Sequence, residues 1–310
     1  MSRAFVFPGQ GAQTIGMGRA LAEAYPAARA VFDEVDAALG EKLSALIWEG
    51  QIEELTLTQN AQPALMATSM AALRALEAEG ITIAKDVAFV AGHSLGEYSA
   101  LCAAGALGLA DTARLLRIRG RAMQEAVPVG VGAMAALLGL DYATAVEVAA
   151  EAAQGEVCQA ANDNDPAQVV VSGHKGAVER ALEIAKARGA KRALLLPVSA
   201  PFHCALMQPA AAVMAEALAA VVVEKPVVPV VVNVRAEAVS EPNRIRDLLV
   251  AQVTGAVRWR ESVLWMEGAG VSEFWEIGAG KALSGMVKRI ASGAVTRAVG
   301  TPEDVIAAKG

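Results

Sequence analysis

Short apolar runs closed by turn residues alternate along this chain with longer alanine-rich stretches whose apolar positions recur at helical spacing. Ala4–Phe7 is such a run and ends at Pro8-Gly9-Gln10-Gly11. Val87–Ala91 is a second and meets Gly92. Met17–Tyr25, Ala28–Leu39 and Pro63–Glu79 read as helices between them. Leu95–Ala106 and Ala110–Ala126 read as the helices that follow. Strand, tight turn and helix in repetition predict an α/β fold with a mostly parallel sheet.

The middle of the chain has a different rhythm. Gly132–Leu138, Val157–Asn162, Ala167–Ser172 and Arg192–Leu196 are strand-like, while Asp141–Ala153 and Gly176–Arg188 are helix-like. That order, β-α-β-β-α-β, is the ferredoxin-like one. Pro128 and Pro197 flank it. The expectation is a ferredoxin-like small subdomain over 128–197, inserted into a core built from 1–127 and 198–310. Beyond the insert, Ala210–Val221, Ile245–Gln252, Trp259–Glu267 and Ala282–Ile290 read as helices, and Val227–Val232 and Ser272–Ile277 as strands.

Composition narrows the class. Of 310 residues 55% are hydrophobic but only 4% aromatic, so the excess is aliphatic and small. Such a chain buries a large core and is not disordered. The net charge of −6 and the absence of a long Lys/Arg run disfavour nucleic acid as a partner. A mean hydropathy of +0.39 raises the question of a membrane span. The longest uncharged stretch, Ala193–Ala215, carries Pro197, Pro201, His203 and Pro209, which a spanning helix would not hold together. Cys102, Cys158 and Cys204 are odd in number and lack metal-ligand spacing. With no signal-peptide layout at the N-terminus, a reduced, cytoplasmic setting without a bound metal is expected.

Gly92-His93-Ser94-Leu95-Gly96 has the form G-x-S-x-G between a predicted strand and a predicted helix, the context of a nucleophile elbow. The serine of such a turn is strained, and residues two before and two after must lack side chains. A serine hydroxyl needs a base, and the chain has three histidines. His93 is adjacent to Ser94, so the turn aims its ring away. His174 reads as a solvated turn residue in Ser172-Gly173-His174-Lys175. His203, in a Pro-rigidified loop where the chain re-enters the main domain, is the best remaining base, with a merely structural histidine as the competing reading. Among the arginines, Arg114 and Arg117 read as solvated. Arg119 sits in an otherwise apolar context with no acid spaced to pair with it, so its partner is read as a substrate anion.

These residues coincide with motifs of a known family. Phe7-Pro8-Gly9-Gln10-Gly11-Ala12-Gln13, Thr58-Gln59-Asn60-Ala61-Gln62-Pro63-Ala64, Gly92-His93-Ser94-Leu95-Gly96-Glu97, Phe202-His203 and Glu276-Ile277-Gly278-Ala279-Gly280-Lys281 occur in the family's order over nearly the whole chain. The sequence resembles the acyl-carrier-protein S-malonyltransferases of type II fatty-acid synthesis. That resemblance implies an α/β-hydrolase-like core with a ferredoxin-like insert. It implies malonyl-CoA as substrate, an acyl carrier protein as partner, no permanently bound cofactor, and a monomer.

By the same resemblance Ser94 is the nucleophile and His203 its base. The His203 imidazole is oriented by the backbone carbonyl of Gln252 rather than by a triad acid. The amides of Gln10 and Leu95 form the oxyanion hole. Arg119, helped by Gln62, holds the malonyl carboxylate, and Asn162, His93 and Phe202 line the substrate pocket. In related polyketide acyltransferases a Phe before the histidine accompanies malonyl and a Ser accompanies methylmalonyl. Because the family's carrier proteins are acidic and this chain is too, a local basic patch is required, with Lys191, Arg192 and Lys281 as candidates. An esterase or thioesterase using the same elbow, a malonyl transferase of polyketide synthesis, and a non-catalytic carrier-binding module are the competing readings.

Overall fold

The computed structural model describes residues 2–309. Its strands are β1 (Ser2–Phe7), β2 (Phe89–Gly92), β3 (Gly132–Leu138), β4 (Cys158–Asp165), β5 (Gln168–His174), β6 (Arg192–Leu195), β7 (Val230–Val232), β8 (Glu237–Val239), β9 (Val271–Ile277) and β10 (Val295–Val299). Six of them form one sheet in the order β10-β9-β1-β2-β7-β8, parallel throughout except for the β7–β8 edge pair. β1 shows why its apolar run is continuous rather than alternating. Phe5 and Phe7 pack on the side of helices Thr58–Ala78 and Leu109–Glu125, while Ala4 and Val6 pack on the side of helices Trp259–Gly268 and Ala282–Ile290. A strand covered on both faces has no polar side to present.

The remaining strands form an antiparallel sheet in the order β4-β5-β3-β6, the ferredoxin-like arrangement. Ala135 and Leu137 of β3 face that sheet's own helices, Tyr142–Ala153 and Lys175–Ala187. Met134 and Ala136, on the other face of the same strand, belong to the main core. The small sheet is therefore laid face-down on the larger layer, and its β4 also bonds the Val257 segment through Asp163 N–H to Val257 O and Val257 N–H to Ala161 O.

Three expectations shift in detail. The long helix begins at Thr58, not Pro63, and Pro63 sits inside it. The lost bond from Pro63 is tolerated in a segment packed tightly against the helix Leu109–Glu125, where a Cβ on Gly120 would collide with the Gln59 backbone. The helix expected from Met17 starts at Arg19, because Gly16 and Gly18 hold positive φ. Arg117 is not solvated: it is buried and bonds Asn60 Oδ1 and the Glu41 carboxylate. The short helices Leu43–Glu49, Ile52–Thr56, Ile83–Asp86 and Pro302–Ala307, and the edge strands β8 and β10, were not anticipated. No helix among the described residues is long and apolar enough to cross a membrane.

Candidate active site

The C-terminal ends of β1, β2 and β7 bring together Gln10, Ser94 and Asn233, the region where α/β sheets place their ligands. Ser94 holds φ +54°, the strained left-handed conformation of an elbow. The two glycines around it are obligatory by contact. A Cβ on Gly92 would overlap the Gly96 backbone, and one on Gly96 would overlap the Phe7 carbonyl of β1. The elbow is thus pressed against the neighbouring strand. His203 also holds a positive φ, +59°, in the loop between β6 and the helix Gln208–Ala219.

Ser94 Oγ lies 2.7 Å from His203 Nε2, and His203 Nδ1 lies 2.9 Å from the carbonyl oxygen of Gln252. A carbonyl only accepts, so Nδ1 carries the proton and Nε2 accepts from the serine hydroxyl. Burial first, and then the Arg119 cation, push the His203 pKa down to about 3. The imidazole is therefore neutral at physiological pH. Arg119, 1% exposed, donates from Nη2 to Ser94 Oγ at 3.2 Å and to Gln252 Oε1 at 2.9 Å, and from Nη1 to Gln62 Oε1 at 2.7 Å. No carboxylate forms an ion pair with it among the described residues. Gln62 is held in turn by Thr58 Oγ1, which donates to Gln10 Oε1.

The serine, histidine and arginine open onto a cavity of about 550 Å³. Gln10, Gln62, His93, Leu95, Asn162 and Phe202 line it as well, with Met134, Asn164, Gln168 and Val170 supplied by the small sheet. Neither the Gln10 nor the Leu95 amide donates to another protein group among the described residues, so both are free for an incoming oxygen. The His93 ring turns away from Ser94 Oγ, with Nε2 2.8 Å from Asn164 Oδ1, and burial lowers its pKa. His174 accepts the Val157 N–H through Nδ1 in the small sheet and does not line the cavity. Gln252 lies behind the Ser94–His203 pair. Lys281 stands one residue before the lining residue Ala282, whereas Lys191 and Arg192 lie outside the cavity on the β6 edge.

The acidity of β4 beside the cavity resolves into alternation. Asn162 and Asn164 line the cavity, while Asp163 is taken up by Arg260 at 2.9 Å and Asp165 by Arg289 at 2.8 Å. Two residues that sequence reasoning did not single out complete the elbow. Asn233 Oδ1 accepts the Ser94 N–H at 2.8 Å, and its Nδ2 donates to Gly92 O at 2.7 Å. Glu97 Oε2 accepts the Asn233 N–H and Gln252 Nε2, both at 2.9 Å. The one sequence signal that could have found Asn233 is its place as a polar residue directly after the buried strand β7.

Residues 4–293 match the acyl transferase domain family. The chain is 49% identical over 305 residues to the malonyl CoA-acyl carrier protein transacylase of Escherichia coli strain K12, covering 98% of each. The crystal structure of the acyl-carrier-protein S-malonyltransferase from Bartonella henselae superposes with a TM-score of 0.97 at 57% identity, over 99% of this chain and 98% of that one. A malonyl-transacylase solved in complex with its type II polyketide acyl-carrier protein superposes with a TM-score of 0.96 at 44% identity, over 99% of both chains. With its motifs, both of its sheets and nearly its full length shared with these proteins, the chain belongs to the malonyl CoA-acyl carrier protein transacylase family.

Proposed function

We propose that this chain moves a malonyl group from malonyl-CoA to the phosphopantetheine thiol of an acyl carrier protein, through an ester on Ser94. The observation that carries the reading is a serine–histidine pair with a buried arginine, free of any carboxylate partner among the described residues, donating to the serine oxygen. His203 Nε2 takes the hydroxyl proton as Ser94 Oγ attacks the thioester carbonyl. The imidazolium that forms keeps its Nδ1–H bond to Gln252 O. The tetrahedral oxyanion is held by the amides of Gln10 and Leu95, each worth about 3 kcal/mol.

Collapse breaks the C–S bond, and His203 returns its proton to the departing CoA thiolate. The carrier thiol then gives its proton to His203, attacks the malonyl-serine, and leaves as malonyl thioester with Ser94 reprotonated. Arg119 orients the malonyl carboxylate throughout, with hydrogen bonds to a charged group worth about 1.5–3 kcal/mol. Gln62 fixes the guanidinium, and Phe202, His93 and Asn162 shape the acyl and thioester sites. No cofactor takes part in these steps.

The chain acts as a cytoplasmic monomer whose product feeds fatty-acid chain elongation. Lys281, next in sequence to the lining residue Ala282, with Lys191 and Arg192 on the exposed β6 edge, receives the acidic carrier. Lys186 and Arg188 nearby are already engaged by Glu183, Glu147 and Glu151. The deciding experiment mixes the protein with malonyl-CoA and carrier protein and measures malonyl-carrier against free malonate. Malonate as the main product would favour a hydrolase instead, and no acyl-enzyme at all would favour a carrier-binding module.

A further inference from the structure

We propose that Glu97 is a positioning residue that stands in for the missing triad acid: through the side chain of Gln252 and the backbone of Asn233 it holds both the nucleophile and its base in register. The inference rests on the acyl-serine reading above. Glu97 is 1% exposed, on the first turn of the helix Gly96–Ala103. Its Oε2 accepts from Gln252 Nε2 and from Asn233 N–H. Gln252 Nε2 also donates to the Ser94 carbonyl at 3.0 Å, and Asn233 Oδ1 receives the Ser94 N–H. Ser94 is therefore gripped at both its backbone polar groups by residues that Glu97 holds. The same Gln252 presents its backbone oxygen to His203 Nδ1.

The carboxylate does something a neutral side chain would not. Gln252 has a donor end and an acceptor end, and only one orientation satisfies both neighbours: Nε2 toward an obligate acceptor, Glu97, and Oε1 toward an obligate donor, Arg119. Replacing the carboxylate by an amide removes that constraint, because an amide both donates and accepts. The charged group facing Glu97 is Arg119, from the helix Leu109–Glu125, and Tyr98 is the titratable neighbour on its own helix. From the residue after β7 and from the helix Pro242–Thr254, the neutral Asn233 and Gln252 reach it. Burial raises the Glu97 pKa to about 7, so the charge-assisted bonds weaken as pH falls through neutrality.

The test is single-turnover formation of the malonyl-enzyme, read by rapid quench and intact mass from about pH 5 to about pH 9, alongside the dissociation constant for malonyl-CoA. Wild type should slow as pH falls below about 7. Glu97→Gln should form the acyl-enzyme about 100-fold more slowly at the upper pH, the scale of a misplaced reacting group, with malonyl-CoA affinity within about twofold and no inflection near neutrality. Gln252→Leu should reproduce that loss, and the double variant should be no slower than the slower single one. An inflection retained in Glu97→Gln, an unchanged rate, or additive losses in the double variant would overturn the proposal. Should Glu97→Gln fail to fold, Gln252→Leu decides alone: a wild-type rate and profile overturns it, and a slowed, flattened profile supports it. Wild type that forms no acyl-serine would instead remove the reaction on which the inference rests.

Discussion

Replacing Arg119 should separate malonyl transfer from acetyl transfer by a margin the geometry sets. The guanidinium is buried and bonds only neutral oxygens, those of Gln62, Gln252 and Ser94. A malonyl carboxylate entering the cavity becomes its counter-ion. Taking one partner from a buried ion pair costs about 3–5 kcal/mol, because the other charge is left desolvated and alone. At about 1.36 kcal/mol per tenfold, malonyl kcat/KM should fall between about 100-fold and about 5,000-fold from this cause.

Both acyl groups also lose the bond from Arg119 to Ser94 Oγ, so acetyl transfer falls too, but it has no carboxylate to strand. The malonyl-to-acetyl ratio of kcat/KM is therefore the quantity to read, in Arg119→Ala and in the volume-conserving Arg119→Met, with melting temperature as the control for folding. A drop of at least about 100-fold in that ratio is expected. Equal losses for the two acyl groups in both variants would refute the assignment of Arg119 to the carboxylate.

Ser94→Ala should show no malonyl mass on the protein after mixing with malonyl-CoA, and an adduct that persists would place the nucleophile elsewhere. Reversing charge at Lys191 and Arg192 should raise the KM for the carrier protein and leave the KM for malonyl-CoA unchanged; an unmoved carrier KM rejects the β6 edge as the landing site. Arg260→Met should destabilise the fold by about 3 kcal/mol or more, since it leaves Asp163 buried without its cation. Burial already raises the Asp163 pKa and Arg260 opposes that rise. Without Arg260 the folded pKa lies further above the unfolded one, so the native state binds the proton more readily. Urea titrations should then show the variant's deficit shrinking in acid and widening as pH rises; a deficit independent of pH would contradict the pairing.

What the sequence made legible was what local sterics and periodicity dictate. β1 could be read because a strand buried on both faces must be apolar at every position, and Ala4–Phe7 is. The elbow could be read because Gly92 and Gly96 touch each other's backbone and that of Phe7, so nothing larger fits. The β4–β5–β3–β6 sheet could be read because its strands and helices follow one another with short links. The start of the helix at Thr58 could not, because Pro63 is a helix-breaker by its own chemistry, and only the packing of Gly120 against Gln59 explains its place inside. β8 and β10 are short edge strands, mostly half-buried, without an apolar run to announce them.

The site divides along the same line. Ser94 is marked by its neighbours in the chain, and His203 by a shortage of alternatives. The residues that hold them are barely marked by local pattern: Gln252 enters through the resemblance alone, and Asn233 shows only as a polar residue after an apolar strand. Asn233 and Gln252 meet Ser94 across 139 and 158 positions of sequence, and an asparagine or glutamine has no periodicity or charge run to betray a buried role. Asp163 and Asp165 are acids close to the pocket in sequence, and the alternation of a strand sends each to its own arginine. The same reasoning bears on charge. A net −6 describes the surface as a whole, but Arg119, Arg260 and Arg289 are committed to the pocket or to its wall, and Lys186 and Arg188 to neighbouring acids. An acidic carrier is steered by the sum of the field and captured by its local exceptions, so its on-rate should depend on the exposed Lys191, Arg192 and Lys281 more steeply than their number among the chain's 27 basic residues suggests.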